Sequence, residues 1–92
     1  MDFIKIIQIL SIQKKTQVEF SFRLHKTSKV ELNIYNIKGT LIKTLYNGYS
    51  DSEEMKWDGK NITGEISTNG IYLYSLIVNG KLYQTKKLII LR

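Results

Sequence analysis

The sequence predicts an all-β sandwich, and three observations support that fold class. The 92 residues include 14 Ile, 7 Thr and 6 Tyr but no Ala, so side chains that suit sheets are abundant while the best helix former is missing. Apolar and polar residues alternate strictly over residues 18–24, as in a strand with one buried face. Asn79-Gly80 lies between two apolar runs and is the preferred dipeptide of a tight β-hairpin.

The first two strands are expected on either side of a polar turn. Residues 18–24 and residues 30–35 each place apolar side chains on one face, and the polar residues 25–29 separate the two runs. Residues 36–39 end the second run, because Gly39 can adopt the positive φ of a tight connection. The simplest interpretation is two antiparallel neighbours joined by a turn that exposes His25.

A third strand is predicted at residues 40–46, followed by a surface connection and a short fourth strand. Residues 49–54 lack an apolar period and hold the only acidic cluster, Asp51, Glu53 and Glu54, so we expect a solvated turn there rather than a cation site. Met55 and Trp57 then alternate across one lysine. Residues 58–70 are rich in Gly, Asn and Thr, which predicts a long structured loop with a short bridge at residues 65–66.

The C-terminal hairpin is the strongest local signal. Residues 71–78 and residues 81–91 form its two predicted arms. In the first arm Tyr72 and Leu76 face one side while Ile71, Leu73 and Ile77 face the other, so both faces are apolar. Such a strand is either central in its sheet or covered by a partner on its outer face.

Counting a possible first strand at residues 3–12, about seven antiparallel strands are expected in two sheets. The side chains expected in the core are Val18, Phe20, Phe22, Val30, Leu32, Ile34, Leu45, Trp57, Tyr72 and Leu76.

Length and composition exclude several functions. A chain of this size has room for one two-layer core, and it contains no cysteine and a single histidine, His25. Disulfide frameworks, thiolate nucleophiles and zinc ribbons are therefore excluded, and no carboxylates are spaced as metal ligands. We expect no enzymatic activity, no cofactor and no metal site.

The charge is +6, from 14 basic and 8 acidic residues, but its distribution does not favour nucleic acid. The basic residues are spread from Lys5 to Arg92 rather than interleaved with aromatic residues in one stripe. Tyr35, Tyr46 and Tyr74 could form a stacking platform, although cross-strand aromatic pairs are the commoner use of tyrosine on a sheet. No apolar run is long enough to span a membrane, so direct membrane insertion is not expected.

Several pieces of the sequence occur in an order that resembles a known family. They are residues 30–39, Leu45 before Asn47-Gly48, residues 57–61, Gly64, residues 68–74 and residues 86–92. This series resembles the type IX secretion system C-terminal sorting domains (type A), and it is similar to the related immunoglobulin-like domain of the flagellar hook-capping protein. Each piece is weak alone, but five pieces in this order are specific, and the match runs from about residue 18 to residue 92.

The resemblance implies an immunoglobulin-like sandwich whose motif residues shape the fold. These residues are Gly39, Trp57, Asp58, Gly59, Gly64, Gly70 and Tyr72. Trp57 is expected to fill the centre of the sandwich, while Asp58 accepts backbone N–H groups in the turn that Gly59 closes. Residues 13–92 would be the sandwich, with residues 1–12 a linker remnant or a drifted first strand.

The implied function is non-catalytic sorting. Such domains direct a covalently linked upstream cargo through the periplasm to the outer-membrane secretion machinery, and the cargo reaches the cell surface or the medium. The segment expected to be recognised is Lys86, Lys87, Leu88, Ile89, Ile90, Leu91 and Arg92. Lysines on a final strand also have a simpler role, which is to discourage sheet-to-sheet aggregation. We expect a monomer, and the alternative function is a structural or adhesive immunoglobulin-like module with no targeting role.

Overall fold

The computed structural model describes the backbone of residues 4–12 and 17–90, with side chains from residue 18 to residue 90. Five strands account for most of these residues: β1 Ile4–Ile12, β2 Gln17–Asn36, β3 Leu41–Trp57, β4 Gly70–Val78 and β5 Lys81–Ile90. None of the described residues belongs to a helix long and apolar enough to cross a membrane. The all-β prediction is confirmed.

All the strand pairs are antiparallel, and β2 is at the centre of the pairing. The first half of β2 pairs with β1, and its second half pairs with β4, which in turn pairs with β5. β3 follows β2 along both halves, so that Val18 is opposite Trp57 and Tyr35 is opposite Leu41.

The long β2 and β3 strands bend together, and the sheet folds over into two layers. The first layer contains β1, the first half of β2 and the part of β3 beside it, and the second layer contains the second half of β2, the part of β3 beside it, β4 and β5. Between the Arg23–Ser52 and Ser28–Ser50 pairs, residues 24–27 of β2 are opposite a single residue of β3, Asp51. Extra residues of this kind bend a strand and increase its twist. Aromatic rings close the space between the layers: Phe20 contacts Tyr74 at a centroid distance of 5.1 Å, and Trp57 contacts Tyr72 at 5.6 Å, both edge to face.

The bend corrects two predictions. Residues 25–29 are not a turn between two neighbouring strands, because β2 continues through them. Residues 49–54 are likewise part of β3 rather than a separate connection. The sequence pattern predicts the two runs of each long strand as separate strands, so it predicts about seven strands, whereas the described residues form five. His25 is exposed as expected, but it lies in β2.

The core lies between the layers and contains nine of the ten predicted side chains. Leu45 is the exception, since it is only partly buried and packs against the edge of the cluster. Among the described side chains, five further residues belong to the core: Leu24, Tyr74, Val78, Leu88 and Ile90. Tyr74 is fully buried, so it cannot form an exposed stacking platform with Tyr35 and Tyr46.

Two asparagines stabilise the tight connections of the second layer. Asn79 and Gly80 have φ values of 52° and 80°, as the predicted hairpin turn requires. The Asn79 side-chain oxygen also accepts the Lys29 backbone N–H at 3.0 Å, and the Asn79 N–H donates to the Lys29 carbonyl at 2.8 Å. The hairpin turn is thereby fixed to the bend of β2. At the β2–β3 connection, the Asn36 side-chain oxygen accepts the backbone N–H groups of residues 38 and 40.

Candidate recognition surface

The candidate recognition strand is β5, which pairs with β4 and lies at one end of the strand order. Leu88 and Ile90 are 6% and 1% exposed and complete the core. Lys86 and Lys87 are exposed, and Ile89 is 52% exposed. Strand alternation separates residues 87–90, with Lys87 and Ile89 on the outer face and Leu88 and Ile90 on the core face. Lys86 lies on the same face as Leu88, but it is exposed.

The segment predicted from the resemblance is consequently not one continuous surface. Lys86, Lys87 and Ile89 are exposed, whereas Leu88 and Ile90 pack in the core. Leu91 and Arg92 lie outside the described residues, as does the boundary predicted at residue 13. Residues 4–12, within the stretch expected to be a linker remnant or a first strand, contain β1.

Trp57 and the turn that follows it have the geometry expected of the motif. The indole is fully buried, and its Nε1–H donates to the Lys60 carbonyl at 2.9 Å. The Asp58 carboxylate accepts the Lys60 backbone N–H at 3.0 Å, and Gly59 has a φ of 82°. These contacts form a turn that places the largest apolar side chain between the layers.

Residues 58–69 form a hydrogen-bonded loop. Asn61 organises its centre, because its side-chain oxygen accepts the backbone N–H groups of Thr63 and Glu65 and the Thr63 hydroxyl. The predicted bridge is present between Lys60 and Ile66. At the end of the loop the Tyr72 hydroxyl donates to the Thr68 carbonyl at 2.8 Å. The motif residues Trp57, Asp58 and Tyr72 thus stabilise the fold through their hydrogen bonds to this turn and loop.

Sequence reasoning missed a groove on the outer face of the second layer. Its volume is about 290 Å³, and its lining residues are Tyr35, Gly39, Leu73, Ser75, Ile77, Leu82 and Thr85. The only signal for it in the sequence is the apolar character of both faces of residues 71–78. β4 is indeed a central strand, with β2 and β5 on either side, yet its outer face is only partly covered.

The register explains the shape of this groove. Tyr35 and Leu73 are opposite one another and form one wall, while Ile77 and Leu82 form the other. Between the walls runs a row of smaller side chains in which Ser75 pairs with Asn33 and Thr85. Shorter side chains between longer ones leave a trough that crosses the strands.

Ser75 lies at the floor of this trough. It is 5% exposed, and its hydroxyl has no hydrogen-bond partner among the described residues. The neighbouring Asn33 differs, since its amide donates to the Tyr35 hydroxyl at 3.3 Å and accepts the Thr44 hydroxyl at 2.8 Å. A buried hydroxyl without a partner is uncommon in folded proteins.

The Tyr74 hydroxyl is also buried without a partner among the residues whose side chains are described, but it points to no ligand because Tyr74 belongs to the core. Burial raises the pKa of the Tyr74 phenol above its ordinary value of 10.0, since an apolar environment disfavours the phenolate.

The described acidic side chains are not grouped as a metal site. Glu53 accepts the Ser50 hydroxyl at 2.7 Å and the Tyr46 hydroxyl at 3.4 Å, so its contacts lie within β3. Lys56 and Glu19 form an exposed ion pair at 3.9 Å. Within residues 4–12 and 17–90, no three His, Cys, Asp or Glu residues are grouped so that they could hold a metal ion.

Comparison with known proteins is consistent with this architecture. The family model described as the FlgD Ig-like domain matches residues 8–81. The chain is also similar to FlgD from P. aeruginosa, with 26% identity, a TM-score of 0.57, and coverage of 96% of this chain and 71% of FlgD. The resemblance to the hook-capping immunoglobulin-like domain is therefore confirmed. No curated protein matches the chain significantly.

Two larger proteins of Porphyromonas gingivalis have the same fold over part of their length. PorU, solved as a latent dimer, shows 22% identity and a TM-score of 0.79 over 99% of this chain, which spans 9% of PorU. PorZ, described as an essential bacterial surface component of the type IX secretion system, shows 18% identity and a TM-score of 0.62 over 97% of this chain, which spans 11% of PorZ. At these identities the likeness is one of fold.

Proposed function

This chain belongs to the FlgD Ig-like domain family, and on that premise we propose that it is a non-catalytic sorting domain of the type IX secretion pathway. It would direct a covalently linked cargo through the periplasm to the outer-membrane machinery, and so to the cell surface or the medium. The domain would act by being recognised as a folded surface together with its last strand, and it needs no cofactor for that.

The exposed part of β5 is the observation that carries this proposal. Lys86, Lys87 and Ile89 lie at the surface of a strand at one end of the sheet order, within the segment that the family resemblance marks for recognition. Partners can add a strand to such an edge through main-chain hydrogen bonds, while side chains provide specificity. The fold shared with PorZ, a surface component of the type IX system, supports the same assignment.

A structural or adhesive module is the second candidate. The observation that favours it is the coverage of FlgD, since this chain aligns with 71% of that protein and with about a tenth of PorU and PorZ. A module of this kind would have the same fold and the same buried core. The two candidates differ only in whether the surface of β5 is recognised.

The test is a secretion assay with a signal-peptide-bearing fluorescent reporter fused to residues 1–92, in a bacterium with a type IX system. The whole chain is needed because β1 pairs with β2. Deleting residues 86–92 would be a poor test, because it removes Leu88 and Ile90 from the core. The informative variant is Lys86→Glu with Lys87→Glu, which changes exposed charges alone.

The matched control is Lys56→Glu with Lys60→Glu, which changes the same number of exposed lysines outside β5. Sorting predicts reporter at the surface or in the medium for the intact domain and the control, with at least a tenfold loss for the β5 variant. Periplasmic retention of all three would contradict sorting and favour the structural module. Equal secretion of all three would place the signal outside Lys86 and Lys87.

A further inference from the structure

We propose that the groove on the outer face of β2, β4 and β5 is a docking site for a protein segment that presents an apolar side chain next to a carboxylate. This inference goes beyond the sorting role and does not require it, because the site is argued from the groove, its floor and its rim. The occupant follows from three properties of these residues.

The first property is the shape and lining of the groove. Tyr35 and Leu73 form one wall, and Ile77 and Leu82 form the other. Leu82 is 64% exposed, so a large aliphatic side chain stands in water beside the groove. A volume of about 290 Å³ lies at the low end for ligand sites, which suits one or two protein side chains.

The second property is the polar group at the floor. Ser75 lines the groove, and its hydroxyl is buried with no partner among the described residues. A hydroxyl both donates and accepts hydrogen bonds, so rotation of this side chain toward the groove would let a backbone amide or carbonyl of the incoming segment satisfy it. An apolar ligand with no polar atom would leave the hydroxyl unsatisfied, and a peptide segment therefore fits better.

The third property is the charge at the rim. Lys87 is opposite Leu73 in the register, and Lys38 is exposed next to Gly39, which lines the groove. Glu31 is opposite Ile77. It is the only acidic residue among the β2 and β5 partners of Leu73, Ser75 and Ile77. The rim is thus positive overall, as is the chain with its net charge of +6. A carboxylate beside the apolar side chain complements this rim and is attracted to it at a distance.

The test is a titration of the ¹⁵N-labelled full chain, followed by NMR, with the blocked peptide acetyl-Asp-Leu-Phe-Leu-Asp-amide. The matched peptide acetyl-Lys-Leu-Phe-Leu-Lys-amide has the same apolar centre and the opposite charge. We expect the acidic peptide to shift the amide signals of Leu73, Ser75 and Ile77, and to bind at least tenfold more tightly than the basic peptide at low salt. Raising the salt concentration should reduce that difference.

Three variants separate the contributions. Ser75→Ala should weaken the acidic peptide about fivefold through the loss of one hydrogen bond, while the free domain remains at least as stable. Lys87→Glu should remove most of the preference for the acidic peptide. Lys56→Glu makes the same charge change in the part of β3 that pairs with the first half of β2, and it should leave both affinities unchanged.

Several results would overturn the proposal. They are no shifts at millimolar peptide, shifts centred outside the groove, or equal affinity for the two peptides. Shifts of the groove residues that grow with domain concentration in the absence of peptide would identify a second copy of this chain as the occupant instead. Because the titration needs no secretion machinery, its failure is distinguishable from a failure of the sorting role.

Discussion

Replacing Tyr74 by phenylalanine should stabilise the domain, which is the opposite of the usual result for a buried tyrosine. The ring is fully buried and packs edge to face on Phe20 at 5.1 Å, and phenylalanine can keep that contact. The hydroxyl has no hydrogen-bond partner among the described residues. Tyr74→Phe therefore removes a desolvated polar group and leaves the packing of the ring in place.

The expected magnitude follows from the cost of an unsatisfied polar group. Burying a hydroxyl without a partner costs about 1–3 kcal/mol, so the variant should gain about 1 kcal/mol in the free energy of unfolding. For a domain of this size, that gain corresponds to an increase of about 4–8 °C in Tm. The denaturant dependence of unfolding should be unchanged, because the same surface is exposed.

Urea unfolding can be followed by the fluorescence of Trp57, which is the only tryptophan and is fully buried. The matched control is Tyr72→Phe, which removes the same hydroxyl from the neighbouring buried tyrosine of β4. The Tyr72 hydroxyl donates to the Thr68 carbonyl at 2.8 Å, so this control should lose about 1 kcal/mol. The two substitutions are chemically identical and should have effects of opposite sign.

Alkaline pH gives an independent check of the same environment. Burial raises the pKa of Tyr74 above its ordinary value of 10.0, so the unfolded chain loses this proton at a lower pH than the folded protein does. The folded state therefore keeps its full stability with respect to this proton below the pKa of the unfolded chain. It loses stability as the pH rises from there through the pKa of the folded protein. Tyr74→Phe should therefore lose less stability above pH 10 than the wild type does.

A loss of about 0.5 kcal/mol or more in the free energy of unfolding on Tyr74→Phe would contradict this prediction. It would mean that the hydroxyl makes a favourable interaction in solution. Parallel effects of Tyr74→Phe and Tyr72→Phe would have the same meaning.

Four further substitutions test the turns, the loop and the edge strand by the same urea titration. Asn79→Ala removes the acceptor of the Lys29 N–H and puts alanine at a φ of 52°, so a loss of about 1–2 kcal/mol is expected; no loss would mean that the contact to the β2 bend is not stabilising. Asn61→Ala leaves the backbone N–H groups of Thr63 and Glu65 without their acceptor, and it should cost about 1 kcal/mol or more and speed proteolysis of residues 58–69. Leu88→Ala should cost about 2–5 kcal/mol as a core truncation, whereas Lys87→Ala should change stability by less than about 0.5 kcal/mol. Similar losses for these last two would show that Leu88 does not contribute to the core as its burial indicates.

Local features were predicted well because their causes are local. The Asn79-Gly80 turn follows from two residues that tolerate positive φ, and the inward face of residues 18–24 follows from a period of two. The burial of Trp57 and the bridge at Ile66 were also predicted, since a large apolar side chain and a run of turn residues restrict the chain by themselves. The predicted recognition residues were found by resemblance, and their role in recognition stays a prediction.

The features that were missed depend on contacts between residues far apart in the chain. Polar residues 25–29 have the composition of a turn, yet they continue β2 because β3 runs beside them and bends at the same place. Leu88 and Ile90 were assigned to recognition because the chemistry of a side chain does not reveal which face of an edge strand meets the core. Tyr74 and the partly buried Tyr46 have the same side chain, and only the packing of the two layers shows that Tyr74 is fully buried.

By itself the sequence determined that this chain is all-β, where its tight turns lie, and which face of most strands is buried. These properties depend on backbone sterics and on the period of a pleated strand, which act over a few residues. The tertiary structure decided that two long bent strands replace four short ones, that Leu88 and Ile90 of the last segment belong to the core, and that the Ser75 hydroxyl lies at a groove with no partner among the described residues. Each of these features depends on strand pairing and layer packing, because the burial of a side chain is set by the residues that pack against it, and these come from distant parts of the chain.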